Sequence, residues 1–119
     1  MTSFKQRLGQ EGEDYAANFL VEAGLIIIKR NYRCPKGEID IIARDQQDLV
    51  FVEVRTRSSE VRGWGEESIT GLKRRRLQSI VSYFLLEQGY RAWPRMRFDL
   101  VALRWQDEIH SCNWLKAIF

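Results

Sequence analysis

The feature that most constrains the fold is a pair of strand-like runs joined by a very short polar break. Residues 38–44 and 49–57 are rich in β-branched residues, and only the four polar residues 45–48 separate them. A connection of this length joins antiparallel neighbours, because a parallel neighbour needs a crossover of a dozen or more residues. The two runs therefore predict a tight hairpin.

The register of this hairpin decides which side chains meet. Closing Asp45 against Asp48 pairs residues whose numbers sum to 93, which sets Asp40 opposite Glu53. Directly opposed residues have Cβ atoms about 4.5 to 5.5 Å apart, and two carboxylates this close repel unless a cation lies between them. The register thus predicts a cation site. A solvated outer face, on which acids merely alternate with core residues, explains the same pattern without a ligand.

The same register extends the polar face along both strands. Glu38 is predicted to pair with Arg55, so that one face carries Glu38, Asp40, Glu53 and Arg55. The alternate residues are predicted to point to the opposite face of the sheet, and these are Ile39, Ile41, Val52 and Val54.

The segments around the hairpin predict helices and further strands. Ser3 and Gln6 form a capping box for a first helix that ends near Gly24, and residues 25–33 follow as a strand. After a Gly- and Ser-rich loop at 58–68 comes a second helix. Its apolar stripe consists of Ile69, Leu72, Leu77, Ile80, Val81, Phe84 and Leu85.

Two strands complete the chain. The first begins after Pro94, where apolar residues alternate with Arg95, Arg97 and Asp99, and the second runs from Glu108 to Trp114. The order αβββαββ predicts one α+β domain over residues 1–119. Its sheet is expected to be mixed, because the second helix permits a parallel crossover between the third and fourth strands.

Composition excludes several classes of protein. The 119 residues are 45% hydrophobic and 29% charged with 2 Pro, which is typical of a globular domain and not of a disordered chain. No apolar run approaches the roughly 20 residues that span a bilayer, and residues 1–10 lack the apolar stretch of a signal peptide, so we expect a cytoplasmic protein. Cys34 and Cys112 lie far apart, which favours reduced thiols that pack as small hydrophobes and argues against structural zinc. His110 is expected on the surface.

Positive charge accumulates in the second half of the chain. The net charge is +3, and residues 61–119 hold 10 Lys or Arg against 6 Asp or Glu. The run Lys73-Arg74-Arg75-Arg76 places four cations in one helical turn, too many for a single face of the helix. It is interpreted as a phosphate-binding ridge or, alternatively, as an ordinary solvated helix start. Further residues predicted to extend this surface are Arg57, Arg62, Arg95 and Arg97.

The aromatic residues divide into two groups. Trp64, in the Gly-flanked loop, is a candidate for stacking on an unpaired base, or it folds back onto the domain. Trp93, Trp105 and Trp114 are expected to be packing residues.

Glu13 adds a third carboxylate to the candidate site. It lies on or beside the apolar stripe of the first helix, where a buried carboxylate requires a partner, although an exposed flank explains the spacing equally well. Gly9 and Gly12 weaken this helix by about 1 kcal/mol each relative to Ala, which indicates close approach to its backbone. Carboxylate oxygens suit Mg²⁺ or Mn²⁺, and such an ion can activate water for phosphodiester hydrolysis.

Taken together, these motifs resemble those of the YraN-type family of uncharacterised bacterial proteins. The matching segments span nearly the whole chain: Gly12-Glu13, Gly37-Glu38-Ile39-Asp40, Phe51-Val52-Glu53-Val54-Arg55, Lys73 and Phe98-Asp99. That family is similar in motif layout to archaeal Holliday-junction resolvases and, through them, to the PD-(D/E)XK nuclease superfamily.

The resemblance implies a restriction-endonuclease-like fold and a nuclease acting on structured or branched DNA. In that superfamily an Asp, a Glu and a Lys meet on adjacent strands, often with a Glu from the first helix. Carried over, Asp40 and Glu53 hold Mg²⁺ or Mn²⁺, Glu13 completes the metal shell, and Arg55 stands where the superfamily has Lys. A homodimer is compatible with this assignment.

Arg55 leaves three interpretations open. A guanidinium stays protonated and cannot exchange a proton with water, so Arg55 cannot do everything that a Lys does. In the first interpretation the metal alone generates hydroxide, and in the second Lys73 reaches into the site from the second helix. In the third, activity is lost. The last case corresponds to a non-catalytic nucleic-acid-binding module with a vestigial nuclease site. A third class, a protein-interaction adaptor, would use the apolar C-terminal residues 114–119, which could equally cover the domain's own core.

Overall fold

The computed structural model describes residues 3–63 and 69–119, and their order of elements is the predicted αβββαββ. Trp64 lies outside the described residues. The elements are α1 (Phe4–Glu22), β1 (Ile26–Cys34), β2 (Gly37–Asp45), β3 (Asp48–Ser58), α2 (Gly71–Glu87), β4 (Met96–Gln106) and β5 (Glu108–Leu115).

The five strands form one mixed sheet in the order β1-β2-β3-β4-β5. β3 and β4 are parallel and are connected through α2, as predicted, whereas the other neighbours are antiparallel. The architecture is α+β and is consistent with a restriction-endonuclease-like fold. None of the described helices is long and apolar enough to cross a bilayer.

Each helix begins and ends where local chemistry requires. Ser3 and Gln6 form the predicted capping box of α1, and Thr70 caps α2 by accepting a hydrogen bond from the backbone N–H of Lys73. Gly24 and Gly89, just beyond the two helices, have φ of +102° and +81°, a backbone conformation that favours glycine.

The sheet separates two hydrophobic clusters. One lies under α2 and includes Phe51 and Phe84, and the other lies under α1 and includes Val52 and Leu20. Because β4 is interior, its residues 98–103 are all buried, and the predicted alternation of exposed and buried residues is wrong there.

Two apolar residues predicted to be buried are exposed. Leu72 is 62% exposed because five residues at 100° each place it about 140° around the helix from the buried Leu77. Trp93 is 63% exposed because it lies in the connection between α2 and β4 and not on a packed element. Trp105 and Trp114 do pack, edge to face against Phe4 and Phe19.

The C-terminal residues cover the protein's own core. Phe119 stacks on Phe98 with ring centroids 4.3 Å apart, and the backbone N–H of Ile118 donates to the carbonyl of Phe98. Trp114 packs against the cluster under α1. The apolar tail on which the adaptor interpretation depended is therefore occupied within the domain.

A buried carboxylate fastens this tail. Asp99 is fully buried and accepts hydrogen bonds from Arg97 Nε, Trp114 Nε1 and the backbone N–H of Ala117. Arg97 also bonds Asp45 at 2.9 Å, and although burial opposes its charge, hydrogen bonds to Asp99 and Asp45 raise its pKa. The prediction that Arg97 extends a phosphate-binding surface is wrong, since four acidic oxygens on three Asp residues hold it inside the protein.

The two cysteines behave as predicted from their sequence context. Both are free and partly buried, Cys34 against the cluster under α2 and Cys112 against the cluster under α1. Burial raises the pKa of the Cys112 thiol to about 11, which keeps it protonated and unreactive.

Gly12 lets α1 approach β3. A Cβ built on Gly12 would lie 2.2 Å from Thr56 Oγ1, whereas one on Gly9 meets nothing within 4 Å. The sequence-based expectation of close approach is thus confirmed for Gly12 and not for Gly9.

We expect Gly12→Ala to destabilise the protein by about 1 to 3 kcal/mol, because the added methyl group overlaps Thr56. Adding Thr56→Ala removes the overlapping hydroxyl and should recover most of that loss. The matched control, Gly9→Ala, should be neutral or stabilise by up to about 1 kcal/mol. Urea unfolding measures wild type, Gly12→Ala, Thr56→Ala, the double variant and Gly9→Ala, and additive effects of Gly12→Ala and Thr56→Ala would contradict the proposed contact.

Candidate metal and nucleic-acid site

The hairpin register is confirmed up to the candidate site and ends there. Pairs from Asp45↔Asp48 to Ile41↔Val52 follow the predicted sum of 93. The pairing then stops, and Asp40 Oδ2 accepts a 2.8 Å hydrogen bond from the backbone N–H of Val54. The carboxylate therefore supplies an acceptor where β2 no longer pairs with β3, and Asp40 and Glu53 are not directly opposed as predicted.

β2 is irregular at Asp40. Ile39 packs in the cluster under α2, whereas Ile41 packs in the cluster under α1, although residues two apart on a regular strand share a face. On the neighbouring β1, Asn31 has a φ of +52°, which marks the same distortion. The prediction that Ile39 and Ile41 share a face is wrong for this reason.

The same irregularity separates Glu38 from its predicted partner. Glu38 pairs with Arg33 of β1, and Arg33 Nε lies 3.3 Å from Glu38 Oε2. The predicted pairing of Glu38 with Arg55 is therefore wrong, because the β2–β3 ladder has already ended at Ile41.

Asp40 is a carboxylate whose ionised form is disfavoured by its surroundings, and we call it strained in this sense. Burial, followed by the neighbouring Glu53 carboxylate, raises the pKa of Asp40 to about 7. Glu13 and Glu38 act in the same direction, while the hydrogen bond from Val54 opposes them. A divalent cation would stabilise the ionised form of such a carboxylate.

Lys73 reaches this site from α2. Its Nζ lies 3.3 Å from Glu53 Oε1, and Arg55 Nε lies 3.9 Å from the same oxygen. Lys73 precedes the buried Leu77 by four residues and so lies on the inward side of the helix. The structure brings Glu53, Arg55 and Lys73 together, which matches the geometry of one of the three interpretations of Arg55.

Glu13 faces the site from α1. It contributes to what we call the α1–β3 cleft, which is lined by Lys5, Leu8, Gly9, Glu13, Asp40, Val54, Arg55 and Thr56. Glu13 is partly buried, and its Oε1 is shielded from solvent without a hydrogen-bond partner among the described residues. Burial raises the pKa of Glu13, although Arg30 and a hydrogen bond from Asn31 oppose the shift.

The donors suit an ion that retains much of its water. Among residues 3–63 and 69–119, no three His, Cys, Asp or Glu side chains are grouped closely enough to enclose a metal. Mg²⁺ is nevertheless commonly held by one or two carboxylates plus water molecules. Asp40 and Glu13, the two carboxylates that line the α1–β3 cleft, suit an ion that is held in this way.

The basic run of α2 spreads around the helix as expected. Lys73 turns inward, Arg74 lies 4.7 Å from the centre of the Phe119 ring, and the Arg76 side chain approaches Gly37. Arg75 is exposed to solvent. Arg74, Arg75 and Arg76 are all exposed, so the run presents cations on more than one side of the helix, and its binding of phosphate stays a prediction.

The other predicted basic residues differ in their exposure. Arg62 is exposed, whereas Arg57 is partly buried on β3. Arg95 is exposed and lies 3.1 Å from Asp48. His110 is exposed, as predicted, and its Nε2 lies 2.5 Å from Ser59 Oγ.

Sequence reasoning missed two residues beside the carboxylates. Arg30 forms a 2.7 Å ion pair with Asp14, and Arg30 and Asn31 both lower the pKa of Glu13, opposing the effect of its burial. The only available signal was an Asn within an apolar strand, a residue type that tolerates positive φ better than most.

Comparison with known proteins finds a family profile and relatives that cover most of the chain. The profile described as "Uncharacterised protein family UPF0102" matches residues 12–103. A UPF0102 protein of Desulfitobacterium hafniense is 51% identical over 108 residues, covering 91% of this chain and 89% of that protein. A UPF0102 protein of Moorella thermoacetica is 49% identical over 122 residues, covering both chains completely. Pyrococcus furiosus SfsA, solved with Ca²⁺, is 13% identical with a TM-score of 0.37, covering 94% of this chain and 63% of that one.

The raised pKa of Asp40 predicts a specific dependence of stability on pH. Folding raises this pKa from 3.8 to about 7, so the protonated Asp40 carboxyl stabilises the folded state. This contribution to the free energy of unfolding is fully present below the unfolded pKa of 3.8 and is lost as the pH rises through the folded pKa of about 7. We expect metal-free Asp40→Asn, which keeps an acceptor for Val54, to be about 1 to 3 kcal/mol more stable than wild type at pH 8 but not at pH 4.

The matched control is Asp14→Asn. The hydrogen bond from Arg30 lowers the pKa of Asp14, so this substitution should destabilise at pH 8, with the opposite sign. Urea unfolding at the two pH values measures both differences. An Asp40→Asn effect that does not change with pH would show that the carboxylate is not strained.

Proposed function

Because the chain belongs to the uncharacterised protein family UPF0102, whose description names no reaction, we propose its function from the site itself: a cytoplasmic, metal-dependent nuclease. It hydrolyses phosphodiester bonds in structured or branched DNA and uses Mg²⁺ or Mn²⁺. The observation that carries this proposal is the convergence of a strained carboxylate, Asp40, with a carboxylate–ammonium pair, Glu53 and Lys73.

The charges of the site support this chemistry. A partly buried carboxylate whose ionisation is disfavoured by another carboxylate gains from a divalent cation, and Asp40 and Glu53 are the groups that would hold it. Glu13, which lines the same cleft, would complete the shell. When bound, the ion polarises the phosphodiester and lowers the pKa of a coordinated water.

The superfamily pattern has one Lys beside the carboxylates, whereas here Lys73 and Arg55 share its role. Both stabilise negative charge next to Glu53, but only a Lys ammonium can exchange a proton at ordinary pH. Lys73 therefore holds or transfers a proton at Nζ, while the Arg55 guanidinium orients and neutralises a phosphate. This assignment selects one of the three interpretations of Arg55.

One observation favours the alternative, a non-catalytic nucleic-acid-binding module. Lys73 and Arg55 already pair with Glu53, so that carboxylate is neutralised without a metal ion. In such a module the cationic residues would bind phosphate and the acid cluster would be vestigial. A cleavage assay separates the two functions, because a binding module retains affinity for nucleic acid and shows no turnover.

We expect Lys73→Arg and Lys73→Gln each to reduce single-turnover cleavage of a branched DNA by about 10² to 10⁴, because neither residue can exchange the proton. Arg55→Lys, introduced into Lys73→Gln, should restore part of the rate by returning an ammonium group to Glu53. The matched control, Arg91→Gln, removes an exposed cation from the connection between α2 and β4 and should leave the rate within about threefold.

Two results would contradict this assignment. Full activity in Lys73→Arg would mean that charge alone suffices and that no proton passes through Lys73. Binding of the DNA without cleavage, by wild type and Arg55→Lys alike, would favour the binding module over the nuclease.

A further inference from the structure

The α1–β3 cleft extends well beyond the carboxylates. Its volume is about 240 Å³, below the roughly 300 to 1,000 Å³ of sites that enclose a whole small molecule. It is open to solvent, and Leu8 and Val54 add apolar surface to its charged lining. These dimensions and this lining suit a segment of an extended chain that continues outside the cleft at both ends.

Three residues of α1 line this cleft at regular spacing. Lys5, Gly9 and Glu13 are four residues apart, so they lie on one side of the helix in successive turns. At 1.5 Å per residue, Lys5 lies about 12 Å from Glu13 along the helix axis. A strand that follows this side of the helix therefore passes Lys5 about 12 Å before it reaches Glu13.

The charges along the cleft change sign. Asp40 and Glu13 are acidic and lie where the metal is proposed, whereas Lys5 lines the other end. Lys5 is exposed, and no ion pair holds it among residues 3–63 and 69–119. A polyanion that binds at the acidic end of the cleft can therefore place a phosphate on Lys5, which is not held in an ion pair among those residues.

Gly9 has no evident structural requirement. A Cβ at this position would meet nothing within 4 Å, in contrast to the overlap at Gly12. Gly at an interior helix position nevertheless costs about 1 kcal/mol relative to Ala. Since packing within the domain does not explain Gly9, the space that it leaves in the cleft lining is available to a bound molecule.

We propose that the α1–β3 cleft is a track for a single nucleic-acid strand, in which Lys5 binds a backbone phosphate and Gly9 provides clearance for the adjacent sugar. This inference rests on the proposed function and deepens it by assigning the path of the strand that enters the metal site. The volume of about 240 Å³ holds a short stretch of one strand and not a duplex, which favours DNA whose strands are already separated, as at branches, nicks and ends.

Binding measurements test the track directly. The probe is a fluorescent branched DNA with Ca²⁺ in place of Mg²⁺, and anisotropy gives its affinity as salt is varied. Loss of one phosphate contact should reduce the salt slope by about 0.7 to 0.9 and weaken binding about fivefold to tenfold at 0.1 M salt in Lys5→Ala. The control Lys116→Ala removes an exposed cation that does not line the cleft and should leave the slope unchanged.

Gly9→Leu tests the clearance separately. The added side chain should fill the cleft and weaken binding at least tenfold, while the midpoint of thermal unfolding stays at or above that of wild type. Gly9→Ala should have a smaller effect of the same sign. A folded Gly9→Leu protein with wild-type affinity, or a Lys5→Ala protein with the wild-type salt slope, overturns the track.

The outcomes distinguish the track from the nuclease. Cleavage by wild type together with unaffected Lys5→Ala and Gly9→Leu variants overturns the track and leaves the proposed function intact. Weaker binding by both variants without any cleavage by wild type supports the track and counts against the nuclease. If wild type does not bind the DNA even at low salt, both proposals are wrong.

Discussion

The hydrogen bond from the Val54 amide to the Asp40 carboxylate is the interaction on which the site depends. Where two paired strands separate, their backbone groups lose partners, and an unsatisfied buried amide is costly. The Asp40 side chain accepts the hydrogen bond of the Val54 amide, and this contact holds a carboxylate in the opening between β2 and β3, where their pairing has ended. The end of the β2–β3 pairing therefore leaves room for the site and also holds the Asp40 carboxylate in position.

The two helices then determine the surroundings of that carboxylate. α1 lies close to β3 because Gly12 leaves room for Thr56, and this approach brings Glu13 to the cleft. α2 is anchored by Leu77 and Ile80, so that Lys73, one turn earlier, meets Glu53. The strands and α1 therefore supply the carboxylates, and Lys73 of α2 and Arg55 of β3 supply the compensating positive charge.

Much of this arrangement is predictable from local rules. The four-residue break fixed the register of the hairpin, and helical geometry places Lys73 on the same side as Leu77, so these features needed no knowledge of the tertiary structure. The opposite orientations of Ile39 and Ile41 could not be predicted. They depend on the Val54 amide, which donates to the Asp40 side chain and not to a backbone carbonyl of β2. The contacts of Arg97 and Asp99 could not be predicted either, because they depend on C-terminal residues that are distant in sequence and donate to Asp99.

Calorimetric titration with Mn²⁺ at pH 6 tests the central claim most directly. Asp40 is largely protonated at this pH when its pKa is about 7, so binding of the ion should release close to one proton, measured from the heats in two buffers of different ionisation enthalpy. We predict that Asp40→Asn loses both the binding and the proton release, while Asp14→Asn retains both. Unchanged Mn²⁺ affinity in Asp40→Asn would contradict the account, because the opening between β2 and β3 would then not be the metal site.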